Sequence, residues 1–255
     1  ERKGWLHKAY LYWYDEPEPA DYPHVRRNNE QIKRFAPKLA RMLTEQPEPA
    51  LVGCVDIWCP VSFNYRAETC RERQRAGEHI WWYVCCGPRA PWCTLFIDHD
   101  AIELRTWLWQ TWGYGVEGIL VWETNYWNSH GKFKPPQRQN PWDDPMSYTP
   151  EGGHWGNGDG RFLYPPNQTN DTQQKFLDGP VSSIRWEILR DGVEDYEYFA
   201  LLREMLKSKP DNDAEALLKV PPAVFSDMTH FSLDPAPLLE HREKLARAIE
   251  RLGAP

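Results

Sequence analysis

Two adjacent carboxylates, Asp15 and Glu16, follow a run of aromatic and apolar residues at 9–14. Such a run predicts a buried strand, and Pro17 directly after the pair predicts that the strand ends in a loop. Side chains of neighbouring residues point to opposite faces within a strand, but beyond its end both can reach one cleft. Cleavage of a glycosidic bond usually requires a carboxylic acid that protonates the leaving oxygen and a second carboxylate. An adjacent pair favours the variant in which the substrate's own acetamide oxygen attacks and one carboxylate orients that acetamide.

The aromatic content favours carbohydrate as the ligand. The chain of 255 residues contains 14 Trp, 12 Tyr and 9 Phe. Flat aromatic rings pack against the C–H faces of sugars, although each ring can equally fill the core. A net charge of -7 argues against nucleic acid as a partner, because phosphate binding depends on clustered Lys and Arg. No stretch approaches the roughly 20 apolar residues of a membrane span, so no membrane partner is predicted.

Further candidates lie at the ends of later predicted strands, where α/β barrels place their functional groups. Predicted strands at 51–58, 80–86 and 118–122 are each followed by polar or aromatic residues. Together with residues near the first strand, they give the predicted substrate-binding set: Tyr12, Tyr14, Trp58, Tyr83, Trp122, Glu123, Asn125, Trp127 and Asp159. For Trp58 and Tyr83 core packing is an equal alternative, and Asp159 can bind a hydroxyl or cap a Gly-rich turn.

No metal and no cofactor are predicted. The six cysteines fall between residues 54 and 93 without the C-x-x-C spacing of a structural zinc site. The histidines are scattered, and the acidic residues around His99 are explained by a helix start. No Gly-rich phosphate loop and no Gly-x-Ser-x-Gly elbow follow a predicted strand.

The elements that must position these residues alternate between strand and helix. Helices are predicted at 29–43, 66–77, 98–112, 183–206 and 238–252, and a fifth strand is predicted at 161–164 after a long loop at 125–158. Alternation predicts a parallel sheet, and without a phosphate loop a barrel is favoured over a doubly wound sheet.

The predicted fold class is α/β, a (β/α)8 TIM-type barrel. Because only about five strands are found, the chain is expected to supply about the last five β/α units. The missing N-terminal barrel segment is expected from the same or a companion chain. Residues 1–206 form the predicted C-terminal portion of the barrel, and residues 207–255 form an irregular segment and a helix packed on it.

Several motifs resemble those of glycoside hydrolase family 123 and the related β-N-acetylgalactosaminidases. They are YWYDEP at 12–17, GILVW at 118–122, GDG at 158–160, and RWE at 185–187 followed by RDGVEDYEY at 190–198. The resemblance covers most of the chain, and the last of these motifs is the most specific.

The resemblance implies a role for each member of the carboxylate pair. Glu16 matches the general acid/base, and Asp15 matches the residue that holds the acetamide and stabilises an oxazolinium-type intermediate. The implied activity is retaining hydrolysis of a β-linked N-acetylhexosamine, in first place β-N-acetylgalactosamine. The alternative is a non-catalytic or degenerate carbohydrate-binding module of the same fold.

Overall fold

The computed structural model describes residues 3–166, 168 and 179–253. The chain divides into two compact units. The first unit contains residues 1–84 and 116–120, and the second contains residues 85–115 and 121–255.

The first unit contains a parallel sheet of five strands. These are β1 (Tyr10–Tyr12), β2 (Ala40–Leu43), β3 (Ile57–Trp58), β4 (His79–Tyr83) and β5 (Gly118–Leu120). Each strand pairs in parallel with the next one along the chain. This sequential order lacks the reversal that defines a doubly wound sheet and is compatible with part of a TIM-type barrel.

Two helices, α1 (Tyr22–Phe35) and α2 (Ala67–Arg75), connect strands of this sheet. The first turn of α1 contains a proline, which is tolerated there because that N–H has no partner within the helix. The predicted helix at 29–43 is wrong in its second half. The helix ends at Phe35, before Pro37, and residues 40–43 form β2.

The predicted strand at 51–58 is also corrected. Only Ile57–Trp58 forms a strand, and the residues before it form turns around Gly53, whose φ is +86°. Residues 44–56, all of which the structure describes, therefore connect β2 to β3 without a helix. Arg41 of β2 is 3% exposed, and its Nε donates to Asp56 Oδ2 at 2.7 Å, which ties this connection to the sheet.

The second unit contains the helices α3 (Ile102–Gly113), α4 (Ile184–Leu206), α5 (Asn212–Ala216) and α6 (Ala236–Gly253). Its core joins α3, α4 and α6 through Trp109, Phe199, Leu202 and Leu245. Thus α6 shares one apolar core with two helices of the predicted barrel portion. The division of the chain at residue 206 stays a prediction.

Two small antiparallel pairs complete the second unit. They are β6 (Met146–Tyr148) with β7 (His154–Asn157), and β8 (Leu163–Tyr164) with β9 (Val181–Ser182). The predicted fifth strand corresponds to β8, which pairs with β9 and lies outside the parallel sheet. Among the helices of the described residues, none is long and apolar enough to cross a bilayer.

Candidate active site

Asp15 lies three residues beyond the end of β1, where two hydroxyl groups hold its carboxylate. Tyr12, the last residue of β1, donates its hydroxyl to Asp15 Oδ1. Thr44 Oγ1 donates to the same oxygen at 2.8 Å. Because Thr44 directly follows β2, the parallel pairing of β1 with β2 brings this threonine to the carboxylate.

Glu16 is fixed through both its backbone and its side chain. Its N–H donates to Thr44 Oγ1 at 2.8 Å, and its φ of +41° lies in the left-handed region that non-glycine residues rarely adopt. Tyr83, the last residue of β4, donates its hydroxyl to Glu16 Oε1 and is itself 3% exposed. Thr44 therefore contacts both members of the pair, and three strand ends position them.

A cleft of about 610 Å³ opens beside Glu16 within the first unit. Its walls are the segments that follow β1, β2 and β3, with Tyr22 of α1 and Tyr83 at the end of β4. The C-terminal ends of the strands are where α/β barrels bind and transform their substrates. The volume lies within the roughly 300–1,000 Å³ range of small-molecule sites.

The other residues predicted in the first unit have different surroundings. Tyr12 is 38% exposed, and burial together with its hydrogen bond to Asp15 raises the pKa of its phenol. The ring of Tyr14 contacts those of Trp13 and His24. Trp58 is 0% exposed and donates its indole N–H to Glu78 Oε2 at 2.6 Å. Tyr12 and Tyr83 thus contact the carboxylate pair directly, whereas Trp58 is a core residue.

The residues predicted in the second unit surround a separate aromatic cluster. The ring of Trp122 lies 5.1 Å from that of Tyr126 and 6.0 Å from that of Trp155. Trp127 donates its indole N–H to the Leu163 carbonyl at 2.7 Å. The Trp122 ring is 36% exposed and can offer a face to a ligand.

The remaining three predicted residues of this unit differ in exposure. Glu123 is half-buried, and Asn125 is exposed and forms a single β-bridge with Arg161. Asp159 is 2% exposed and accepts a hydrogen bond from Trp122 Nε1 at 3.1 Å. Burial raises the pKa of Asp159 to about 6, although the indole N–H and nearby arginine charges oppose the rise.

Sequence reasoning missed Thr44 and its neighbour Glu45, which line the cleft with Glu16. A strand at residues 40–43 would have placed both at a strand end, where α/β barrels carry their functional groups. Among the described residues, no group of three or more His, Cys, Asp or Glu side chains is arranged to hold a metal ion.

Residues 1–202 match the family model described as glycoside hydrolase 123, catalytic domain. The chain belongs to this family. The chain is similar to a family 123 glycoside hydrolase from Clostridium perfringens, which was analysed structurally for its hydrolysis of glycolipid glycans. The alignment covers 98% of the present chain, with a TM-score of 0.61 and 14% identity. The present chain covers 42% of the length of the Clostridium perfringens protein. Because the two sequences are only 14% identical, their likeness shows a shared fold and no more. No curated protein matches the chain.

Proposed function

We propose that this family 123 chain carries the active site of a retaining glycoside hydrolase that releases β-linked N-acetylhexosamine. The sugar that we propose first within this class is β-N-acetylgalactosamine. The observation that carries the proposal is the placement of Asp15 and Glu16 at one strand end, where both contact Thr44. Membership of the family supports hydrolysis of glycosides in general. The sugar and the separate roles of Asp15 and Glu16 are implied by the motif resemblance, and the adjacency of the two carboxylates supports the participation of the acetamide.

The first chemical step requires two simultaneous events. The carbonyl oxygen of the substrate's acetamide attacks the anomeric carbon, while Glu16 transfers its proton to the departing glycosidic oxygen. Asp15 accepts the acetamide N–H and stabilises the positive charge of the oxazolinium-type intermediate. No carboxylate of the protein needs to bond to the sugar, which is why the short separation of adjacent residues suits this reaction.

The second step reverses the geometry of the first. Glu16, now ionised, takes a proton from water as the water oxygen attacks the anomeric carbon and opens the oxazolinium ring. Two inversions at the same carbon restore the β configuration. The Tyr83 hydroxyl, which donates to Glu16 Oε1, supports one oxygen and leaves the other for proton transfer.

Two further parts of the proposal concern the sugar and the fold. We propose that Trp122 and its neighbours Glu123, Asn125, Trp127 and Asp159 bind sugar, with the exposed indole face of Trp122 packing against a ring. We also propose that the five-stranded sheet is part of a (β/α)8 barrel. Its other strands would come from the same polypeptide or a companion chain.

The test is turnover of 4-nitrophenyl glycosides of β-N-acetylgalactosamine, β-N-acetylglucosamine and β-galactose. We expect the two acetamido sugars to be cleaved and the galactoside to be inert, because it lacks the attacking oxygen. Proton NMR of the first product should show the β anomer.

Glu16→Gln should lower kcat/KM for poor leaving groups by about 10²–10⁴-fold. Glu68→Gln, on the exposed surface of α2, is the matched control and should retain activity. Cleavage of the galactoside at a similar rate would contradict the role of the acetamide. Sugar binding without any turnover would favour the alternative, a non-catalytic carbohydrate-binding module.

A further inference from the structure

The cleft of the first unit contains Glu16 in its wall but not Asp15. This asymmetry matters because the two carboxylates serve opposite ends of the reacting bond in the proposed function. A general acid must face the glycosidic oxygen that leaves, whereas the acetamide partner must face the sugar that stays. The space beside Glu16 is therefore on the side of the leaving group.

The ionisable side chains of Asp, Glu, Lys, Arg and His type that line the cleft are all glutamates. Besides Glu16, which is the proton donor, three glutamates stand in its wall, Glu18, Glu45 and Glu48, and the described residues that line it include no Lys, Arg or His. Glu45 is 8% exposed, and this burial raises the pKa of its carboxyl group, so its negative charge is fully present only above that pKa.

Tyr22 lies in the same wall, and the negative charges around it affect the pKa of its phenol. Burial is the first cause that raises its pKa to about 12, and the charges of Glu45, Glu48 and Glu18 raise it further. The hydroxyl also donates to Glu45 Oε2 at 3.4 Å. The carboxylates thus act together on one small volume, where a negative group of a ligand would meet like charges without a compensating cation.

The rest of the wall suits an uncharged sugar. Phe63 is 48% exposed and offers a ring to the C–H face of a hexose, while Gln46 and Asn64 offer amides to hydroxyl groups. We propose that this cleft is the leaving-group subsite of the family 123 chain and that it admits neutral glycans while rejecting those with an anionic group on the leaving residue. This inference rests on the proposed hydrolase function and adds the charge class of its substrate.

Two disaccharides that differ only in charge test the proposal. One is β-N-acetylgalactosaminyl-galactose, and the other carries a sulfate ester on the galactose, which is the leaving residue. At about 0.01 M salt we expect kcat/KM to be at least about tenfold higher for the neutral compound. The difference should shrink at about 1 M salt, where charges are screened over about 3 Å.

Variants identify the source of the discrimination. Glu18→Gln combined with Glu48→Gln should reduce the ratio below about threefold, because two of the repelling charges are gone. Glu68→Gln, outside the cleft, should leave the ratio unchanged. A ratio that survives the double substitution would overturn the proposal that these charges select the substrate.

The outcomes separate this inference from the proposed function. Turnover of both disaccharides with equal kcat/KM would overturn the charge selection and leave the hydrolase intact. Turnover of neither would overturn the hydrolase, and calorimetric titration of both disaccharides would then decide on the cleft. Equal affinities in that titration would overturn the charge selection as well.

Discussion

The buried carboxylate of Asp195 in the second unit is held differently from the two carboxylates of the candidate active site. Asp195 of α4 is 0% exposed and accepts hydrogen bonds from Arg105 Nε and Arg242 Nε, both at 2.6 Å. The indole of Trp109 donates to the same carboxylate at 2.8 Å. Because these donors come from α3 and α6, one aspartate joins three helices and forms charge-assisted hydrogen bonds with two arginines.

In the first unit, Asp15 and Glu16 receive neutral side-chain donors. The hydroxyls of Tyr12 and Thr44 donate to Asp15, and that of Tyr83 donates to Glu16. A neutral donor orients a carboxylate without binding its charge as strongly as an arginine does. The contrast teaches that Asp195 of the second unit joins helices through arginines, whereas hydroxyl groups of three side chains orient the pair of the first unit.

The largest expected effect follows from removing the charge that holds the helices together. Asp195→Asn leaves two half-buried arginines, Arg105 and Arg242, without this carboxylate, so the free energy of unfolding should fall by about 3–5 kcal/mol. Urea titration measures this loss. Asp191→Asn, one turn earlier on α4 with a side chain 38% exposed, is the matched control and should change stability by less than about 1 kcal/mol.

Asp15→Asn is the corresponding substitution in the candidate active site. It should impair turnover and leave the urea midpoint close to that of the unmodified chain, because no buried cation loses a partner. Loss of stability equal to that of Asp195→Asn would contradict the distinction between structural and reactive carboxylates.

Asp159 stands between these two cases, because it is buried but its side chain accepts a hydrogen bond from the neutral indole of Trp122. Burial raises its pKa from 3.8 to about 6, so the folded chain takes up a proton that the unfolded chain does not bind between about pH 4 and 6. The stability contributed by this group is therefore present below about pH 4 and is lost as pH rises to about 6.

Asp159→Asn keeps an acceptor for the indole and removes the charge. Above pH 6 it should increase the free energy of unfolding by up to about 3 kcal/mol relative to the unmodified chain. Urea titrations of both proteins at several pH values measure the difference, which should vanish near pH 4. A difference that does not change with pH would contradict the raised pKa of the buried Asp159 carboxyl group.

The sequence predicted well those helices and strands that are determined by neighbouring residues, such as a capping residue or a periodic apolar pattern. Helix α4 was predicted at 183–206 and lies at Ile184–Leu206, because Ser183 caps it by accepting the Trp186 N–H and its apolar positions recur over six turns. Strands β4 and β5 were predicted at 80–86 and 118–122 from their apolar runs and lie at His79–Tyr83 and Gly118–Leu120, so each prediction extends beyond the observed C-terminal end. In the same way, the strand before Asp15 placed the carboxylate pair at a strand end.

Signals that depend on distant partners were missed. Strand β2 has the sequence ARML, in which Arg41 indicates exposure, yet this arginine is buried because it pairs with Asp56 fifteen residues later. Because β2 was not predicted, Thr44 was not recognised as a residue that follows a strand end. The aromatic type of Trp58 could not distinguish a sugar platform from the core, since its hydrogen-bond partner, Glu78, lies twenty residues away.

The smallest effect concerns Thr44, whose hydroxyl is the contact shared by the carboxylate pair. Thr44→Val preserves shape and removes both the donor to Asp15 and the acceptor of the Glu16 N–H. We expect kcat to fall by about 10–100-fold with a smaller change in KM, because a 1 Å misplacement of reacting groups can produce about a 10²-fold loss. Steady-state kinetics with a β-N-acetylgalactosaminide measures both constants.

Further measurements show whether Thr44 acts through the carboxylates. Thr44→Ser retains the hydroxyl and should restore most of the activity, and Thr69→Val on α2 should have no effect on kcat. If Ser and Val at position 44 impair kcat equally, the methyl group and its packing matter, and the neutral hydroxyl does not position the pair.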